Sequence, residues 1–281
     1  MLMLSLAVAV SVAFALALGC PPEAAAHSDL EEQIAAVTAR IDREPRRADL
    51  HLKRGDLHRA HRDWVPALAD LDRAAALDPG LASVDLARAT LSFDADMPRA
   101  ALAAIERFLA RQPDHAGGRI LRARILTSLR RPLEAAEDWA RAIAASARPR
   151  PEYYLARAHA LAADDRRIDE ALAALEDGTR RLGPIVTLEL AAMELELARA
   201  RYDAALARVD RLAAAAPRNE QWLVQRGEIL ERAGRAAEAR DAFAAALKAV
   251  QTLPEARRRT RAVEDIETRS RSALEGPGET R

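Results

Sequence analysis

Three histidines stand close together, His51, His58 and His61, and imidazole is a common ligand for zinc or copper. On a helix at 100° per residue, His51 and His58 lie about 20° apart and His61 about 60° beyond. Such a trio could hold a metal ion. Asp63 is near in sequence but falls in a turn signal, Arg62-Asp63, and need not face the histidines. Paired carboxylates at Asp164-Asp165 and Glu31-Glu32 could serve acid–base chemistry, yet they fall in a turn and on an exposed helix face, with no sign of a cleft. The chain has no Gly-rich phosphate loop, no Gly-x-Ser-x-Gly elbow, no cysteine pair and no His-Glu-x-x-His. The expectation is a non-enzyme with no cofactor and no catalytic residue, the histidine trio being the one candidate metal site.

The elements carrying these residues are short helices that recur. Residues 48–81 read ADLHLKRGDLHRAHRDWVPALADLDRAAALDPGL. The second half places Trp64, Leu68, Leu71 and Ala75 on one helical face. The first half carries Leu50, Leu52, Gly55 and Leu57, with the glycine at a close contact. So small a helix pair cannot bury its apolar face alone and needs copies beside it. The copies follow. Pro45, Pro79 and Pro113 are spaced by 34, as are Ala67, Ala101 and Ala135, and Leu71, Ile105 and Trp139. Leu52, Leu86, Ile120, Leu155, Leu190 and Val224 advance by 34, 34, 35, 35 and 34. Behind them run Arg54-Gly55, Arg88-Ala89, Arg122-Ala123, Arg157-Ala158 and Arg226-Gly227, broken only at Ala192-Met193. The two spacings of 35 place one extra residue near Pro149 and another near Asp164-Asp165. Pro98 and Pro132 sit where second helices begin, a position that tolerates proline.

A 34-residue helix–turn–helix period with small residues at fixed offsets resembles the tetratricopeptide repeat family. The small residues of its eighth and twentieth positions match Gly55 and Ala67, Ala89 and Ala101, Ala123 and Ala135, and Gly227 and Ala239. Its large apolar fourth position is not kept, since His51, Asp85 and Arg119 stand there. The resemblance implies an all-α, right-handed α-solenoid of about six helix–turn–helix pairs over residues 48–254, with repeats near 48–81, 82–115, 116–150, 151–185, 186–219 and 220–254. It also implies that first helices line a concave groove for a protein or peptide. The groove positions would be Asp56, Thr90, Arg124, His159, Glu194 and Glu228, with the apolar row Leu52, Leu86, Ile120, Leu155, Leu190 and Val224 one turn earlier. That apolar row can equally be structural, joining adjacent first helices. The lysine–asparagine clamp of some relatives is absent, because Leu52 and Asp56 replace its first two members. In the same alignment His51 and His58 take places that the family fills with aromatic packing residues, the alternative to a metal site.

Composition agrees with stacked helices. Half of the 281 residues are hydrophobic but only 4% aromatic, and glycine numbers 11, so alanine and leucine carry the burial. With 43 basic and 43 acidic residues the chain lacks the positive field of a nucleic-acid binder. Neither nucleic acid nor a small-molecule substrate is expected as a partner.

Residues 2–19, LMLSLAVAVSVAFALALG, are uncharged and mostly apolar and precede Cys20, the only cysteine. The stretch Leu16-Ala17-Leu18-Gly19-Cys20 looks like the lipobox of a bacterial lipoprotein, whose cysteine is acylated after cleavage. It departs from the pattern, with Ala17 where leucine is preferred and no Lys or Arg before the apolar run. Two other readings compete: ordinary signal cleavage after Ala24-Ala25-Ala26, giving a soluble periplasmic or secreted protein, or an uncut membrane anchor. All three place the repeats outside the cytoplasm. Residues 1–20 are therefore read as a lipoprotein-like signal peptide and 21–47 as a linker and capping helix. That helix covers 28–44, with Ser28 as N-cap and the stripe Ile34, Val37 and Ile41. Residues 255–281 are read as a charged capping helix with the stripe Val263, Ile266 and Leu274, and a disordered tail from Gly276. The basic run Arg257-Arg258-Arg259-Thr260-Arg261 is followed by acidic residues and reads as a solvated face. The function these observations imply is a scaffold or assembly adaptor on the periplasmic side of a bacterial envelope, lipid-anchored at Cys20. The alternatives are a metal-binding or enzyme-accessory protein using the histidines, or a passive membrane-tethered spacer.

Overall fold

Fully buried alanines recur on successive helices, and small residues there let helices come close. Ala67, Ala89, Ala101, Ala123, Ala135, Ala158 and Ala205 are all fully buried. At Gly55 even a methyl group would lie 3.2 Å from the Ala67 carbonyl oxygen. The computed structural model describes residues 22–275, and the expected signal segment, Cys20 and the tail from Gly276 lie outside them. Among the described residues there are fifteen α-helices and no strand. They are α1 (Pro22–Arg43), α2 (Ala48–Ala60), α3 (Trp64–Leu77), α4 (Ser83–Asp94), α5 (Pro98–Arg111), α6 (Ala116–Ser128), α7 (Pro132–Ala145) and α8 (Pro151–Ala162). After a single 3₁₀ turn (Asp165–Arg167) come α9 (Ile168–Leu182), α10 (Val186–Ala198), α11 (Tyr202–Ala215), α12 (Glu220–Arg232), α13 (Ala236–Gln251), α14 (Glu255–Arg258) and α15 (Arg261–Glu275). The fold is all-α, and from α1 to α4 and again from α5 to α13 each helix packs antiparallel on the next. None of the described helices is long and apolar enough to cross a membrane.

The chain divides into two compact units, one ending at Ala95 and one beginning at Asp96. The boundary falls inside the second expected repeat, between α4 and α5. In the first unit, α1 packs on α2 through Val37, Ile41 and Leu50. This helix begins at Pro22 and runs through Ser28, so Ser28 is not its N-cap. In the second unit, first helices adjoin across mixed clusters. One joins Ile120 and Ala123 of α6 to Trp139 of α7 and to Tyr153 and Ala156 of α8. The last cluster takes in Val263, Ile266 and Leu274 of α15 beside Trp222 of α12 and Phe243 of α13.

On α3 the apolar face differs from the one expected. Ala67, Asp70, Leu71 and Ala74 are buried, while Leu68 is 48% exposed. Periodicity counts Asp70 as an outward residue, but hydrogen bonds to α2 draw it inside and roll the helix.

The turn between the helices of a pair is also periodic. Arg62, Asp96, Arg130, Ala200 and Gly234 all have positive φ, from 55° to 75°. The N–H that follows each of Arg62, Arg130, Ala200 and Gly234 donates to the carbonyl five residues back, on His58, Leu126, Glu196 and Leu230. This is the Schellman closure of a helix C-terminus, which favours glycine because a Cβ is strained there. In the fourth repeat the extra residue near Asp164-Asp165 replaces this closure with the 3₁₀ turn. There Arg166, through its side chain and backbone N–H, holds Asp164 at about 2. Residues 146–150, which include Pro149, connect α7 and α8.

Four of these five left-handed positions are not glycine. Replacing Ala200 by glycine should therefore raise stability by up to about 1 kcal/mol, and Gly234→Ala should lower it by a similar amount. Melting temperatures of the two variants against the parent test the pair.

Candidate functional site

On the first helices of the second unit, Ile120, Leu155 and Leu190 are half-buried, and Ile120 packs in the α6–α8 cluster. Leu155 and Leu190 likewise pack against the clusters of their own repeats. In the first unit Leu52 does the same, and Leu86 is also half-buried. The apolar row thus serves the seams between helices. Val224 is buried at 3% exposure, in the cluster that holds α15. One turn further on, Arg124, His159 and Glu194 are exposed on α6, α8 and α10, as Asp56 is on α2. Thr90 is half-buried and donates to the Leu86 carbonyl at 2.9 Å. Glu228 accepts from Arg269 of α15 at 3.3 Å. On α6, α8 and α10 this leaves an exposed mixed polar row, suited to hydrogen bonds and charge rather than to a large apolar anchor.

The histidine trio does not converge. His51 is 6% exposed and reaches away, with Nδ1 3.3 Å from Asp70 Oδ1 and Nε2 3.2 Å from the Pro45 carbonyl oxygen. His58 and His61 instead face Asp63, whose Oδ2 lies 3.6 Å from the first and 2.9 Å from the second. Among the described residues no group of three potential ligands is placed to hold a metal ion.

His51 belongs to a buried polar register that the sequence does not announce. Asp70 is bound by His51 and, through both oxygens, by Arg54 at 2.8 Å. Sixty-eight residues on, Arg119 takes the place of His51, donating to the Pro113 carbonyl and to Asp138, while Arg122 takes that of Arg54. Asp138 is 1% exposed, so these guanidiniums are its required counter-charge. In the second and sixth repeats the first-helix arginine turns back to the preceding second helix. Arg88 bonds Asp72 and Arg226 bonds Asp210, both exposed aspartates. From the first repeat to the third the polar register therefore alternates.

The fifth repeat reverses the charges. Glu189 stands where Arg119 stands two repeats earlier, and Arg208 of α11 takes the place of Asp138. Arg208 donates to Glu189 at 2.9 Å, to Glu196 at 2.9 Å and to Glu176 of α9 at 3.2 Å. Arg211 adds a bond to Glu189 at 3.1 Å. This explains Ala192-Met193: with the acid moved to the first helix, an arginine at 192 has no role. Glu196 is 5% exposed and borders a groove of about 400 Å³ between α9 and α11. Burial pushes its carboxyl up, and the hydrogen bond and charge of Arg208 offset this only in part. Sequence reading missed this cluster. Its one signal was a glutamate at 196 where Leu126, Leu161 and Leu230 occupy the corresponding position.

Residues 86–152 and 190–254 match the tetratricopeptide repeat profile. These are tetratricopeptide repeats. Among solved structures the chain is similar to YrrB, described as a TPR protein with an unusual peptide-binding site. The identity is 20% over 67% of this chain and 96% of that one, with a TM-score of 0.54. It is also similar to a tetratricopeptide repeat protein of Parabacteroides merdae ATCC 43184, at 15% identity over 89% and 95%, TM-score 0.50. A third likeness is to the structure of Naa15/Naa10 bound to HypK-THB, at 16% identity over 92% of this chain and 39% of that one, TM-score 0.59. At these identities the likeness concerns the fold. No curated protein matches the sequence. Tetratricopeptide repeats are in general non-catalytic scaffolds.

Two outcomes follow from the buried tetratricopeptide register. Asp138→Asn leaves two buried or half-buried arginines unpaired and should cost about 3 kcal/mol. Asp72→Asn breaks an exposed pair and should cost less than about 1 kcal/mol. Thermal denaturation of both variants checks the contrast. For Glu196 the folded carboxyl holds its proton more tightly than the unfolded one. Its contribution is therefore fully present at low pH and is lost as pH rises from the unfolded value through the raised one. Melting temperatures measured as pH falls from neutrality to the ordinary carboxylate value should show the parent gaining on Glu196→Gln, whose amide does not titrate.

Proposed function

We propose that this protein is an exported adaptor that binds another protein or an extended peptide along its first helices, tethered to a bacterial membrane by a lipid on Cys20. The observation that carries the binding reading is the exposed polar row Arg124, His159 and Glu194 on α6, α8 and α10, standing beside an apolar row already committed to packing. Such a row can distinguish partners by charge and hydrogen bonding while its scaffold stays fixed. The peptide-binding site of YrrB, a similar fold, is consistent with this use of the surface. The tether is supported by the apolar run at 2–19 and by Leu16-Ala17-Leu18-Gly19-Cys20.

Affinity capture of the tagged full chain from detergent-solubilised envelopes tests the reading. A partner recovered in near-equal amount, and reduced by about ten-fold with Arg124→Glu and His159→Ala together, is the expected result. Capture that survives both changes would instead favour a passive spacer. Metabolic labelling with a fatty acid should mark the parent and not Cys20→Ala.

A further inference from the structure

The exposed polar row is not uniform in charge. The exposed charged side chains of α6, α8 and α10 are Arg124, Glu152 and Glu194, and the exposed imidazole of His159 lies between the first and the last. Glu152 is already bonded by Arg150, at 3.2 Å. One turn beyond the row, the hydroxyls of Thr127 and Ser128 donate to carbonyls of their own helix, at Ala123 and Ile125. The places on α8 and α10 that match Thr127 are Ala162 and Leu197. At the far end Glu228 is drawn to Arg269 of α15, which leaves Glu194 as the row's unpaired carboxylate among the described residues. The row therefore runs from a cation on α6 to an anion on α10.

The two charges stand far enough apart to act separately. First helices adjoin through Ile120, Tyr153 and Ala156 on α6 and α8, and through Ala158 and Ala192 on α8 and α10. Packed helices lie about 10 Å apart, which puts Arg124 and Glu194 on the order of 20 Å from one another. That exceeds the Debye length of about 8 Å at physiological salt, so neither charge cancels the other. A ligand lying along the row meets a positive field at one end and a negative field at the other, and side chains of opposite sign are favoured at each. In an extended chain, at about 3.3 Å per residue, this separation spans about six residues. We propose that the occupant of the row is an extended segment of a partner protein carrying an acidic side chain and, about six residues along, a basic one. The acid meets Arg124 and the base meets Glu194. Between them the imidazole of His159, which can donate or accept, bonds the main chain of the segment. This rests on the reading that first helices bind a partner, and adds the charge pattern of what is bound.

A library of random peptides of about twice that length, displayed on phage and selected on the immobilised full chain, is the probe. The expected binders carry an acid and a base about six residues apart, in one order along the peptide. Selection on Arg124→Glu with Glu194→Arg, which exchanges the two charges, should return the opposite order. The leading parent peptide, made with a fluorescein label, should bind either single variant about ten-fold more weakly by fluorescence polarisation. Its affinity should not change in Glu137→Arg on α7. Binders without a charge pair, or the same order from the parent and the exchanged chain, would overturn the proposal. If such binders are still lost with Arg124→Glu and His159→Ala together, first-helix binding stands and only the charge pattern fails. A library that yields no binder overturns both.

Discussion

A single methyl group sets the spacing on which this structure depends. Where Gly55 faces the Ala67 carbonyl and Asp70, and where Gly227 faces the Phe243 ring, there is no space for a larger side chain. Alanine fills the same place at Ala89, Ala123 and Ala158, each fully buried. At such spacing the polar groups on the two helices of a pair are within direct reach of one another. Arg122 and Asp138, and likewise Glu189 and Arg208, bond directly across it. The buried charges are thus a consequence of close packing, and packing in turn requires that each have a partner.

The period itself was legible because it is written in residues with one function. Prolines stop helices, small residues permit contact, and both recur with little regard to surroundings. Burial of charge was not legible in the same way. Asp70 reads as outward by its polarity, and only the arginine 16 residues earlier, on another helix, shows why it is inside. A 34-residue comparison also hides the alternation from the first repeat to the third, since Arg54 and Arg88 look alike but bond in opposite directions along the chain. The anomaly at Ala192-Met193 was visible as a broken pair. Its cause, an exchange of acid and base between α10 and α11, needs the fold.

The candidate binding face was half legible. Residue numbers locate Arg124, His159 and Glu194 at matching places on successive first helices, and the structure leaves them exposed. The role of the adjoining apolar row was ambiguous because a half-buried leucine serves a seam and a groove equally well until its neighbours are known. The histidines show the opposite case. Their angular spacing on α2 suggested convergence, but His51 is held by α3 and by the Pro45 carbonyl, and helix geometry alone contains neither.

The seat of α15 bears on how copies of this chain could associate. A stack of repeats ends on one side in a surface made to receive another repeat, and two molecules could join there head to tail without closing, which is the route to open filaments. Here Val263 and Ile266 occupy that surface beside α12 and α13, and Arg269 takes the carboxylate of Glu228. The helix presents charged Arg261, Glu264, Asp265 and Arg271 outward. The face of α12 and α13 that a further repeat or a second copy would take is therefore already filled by this helix.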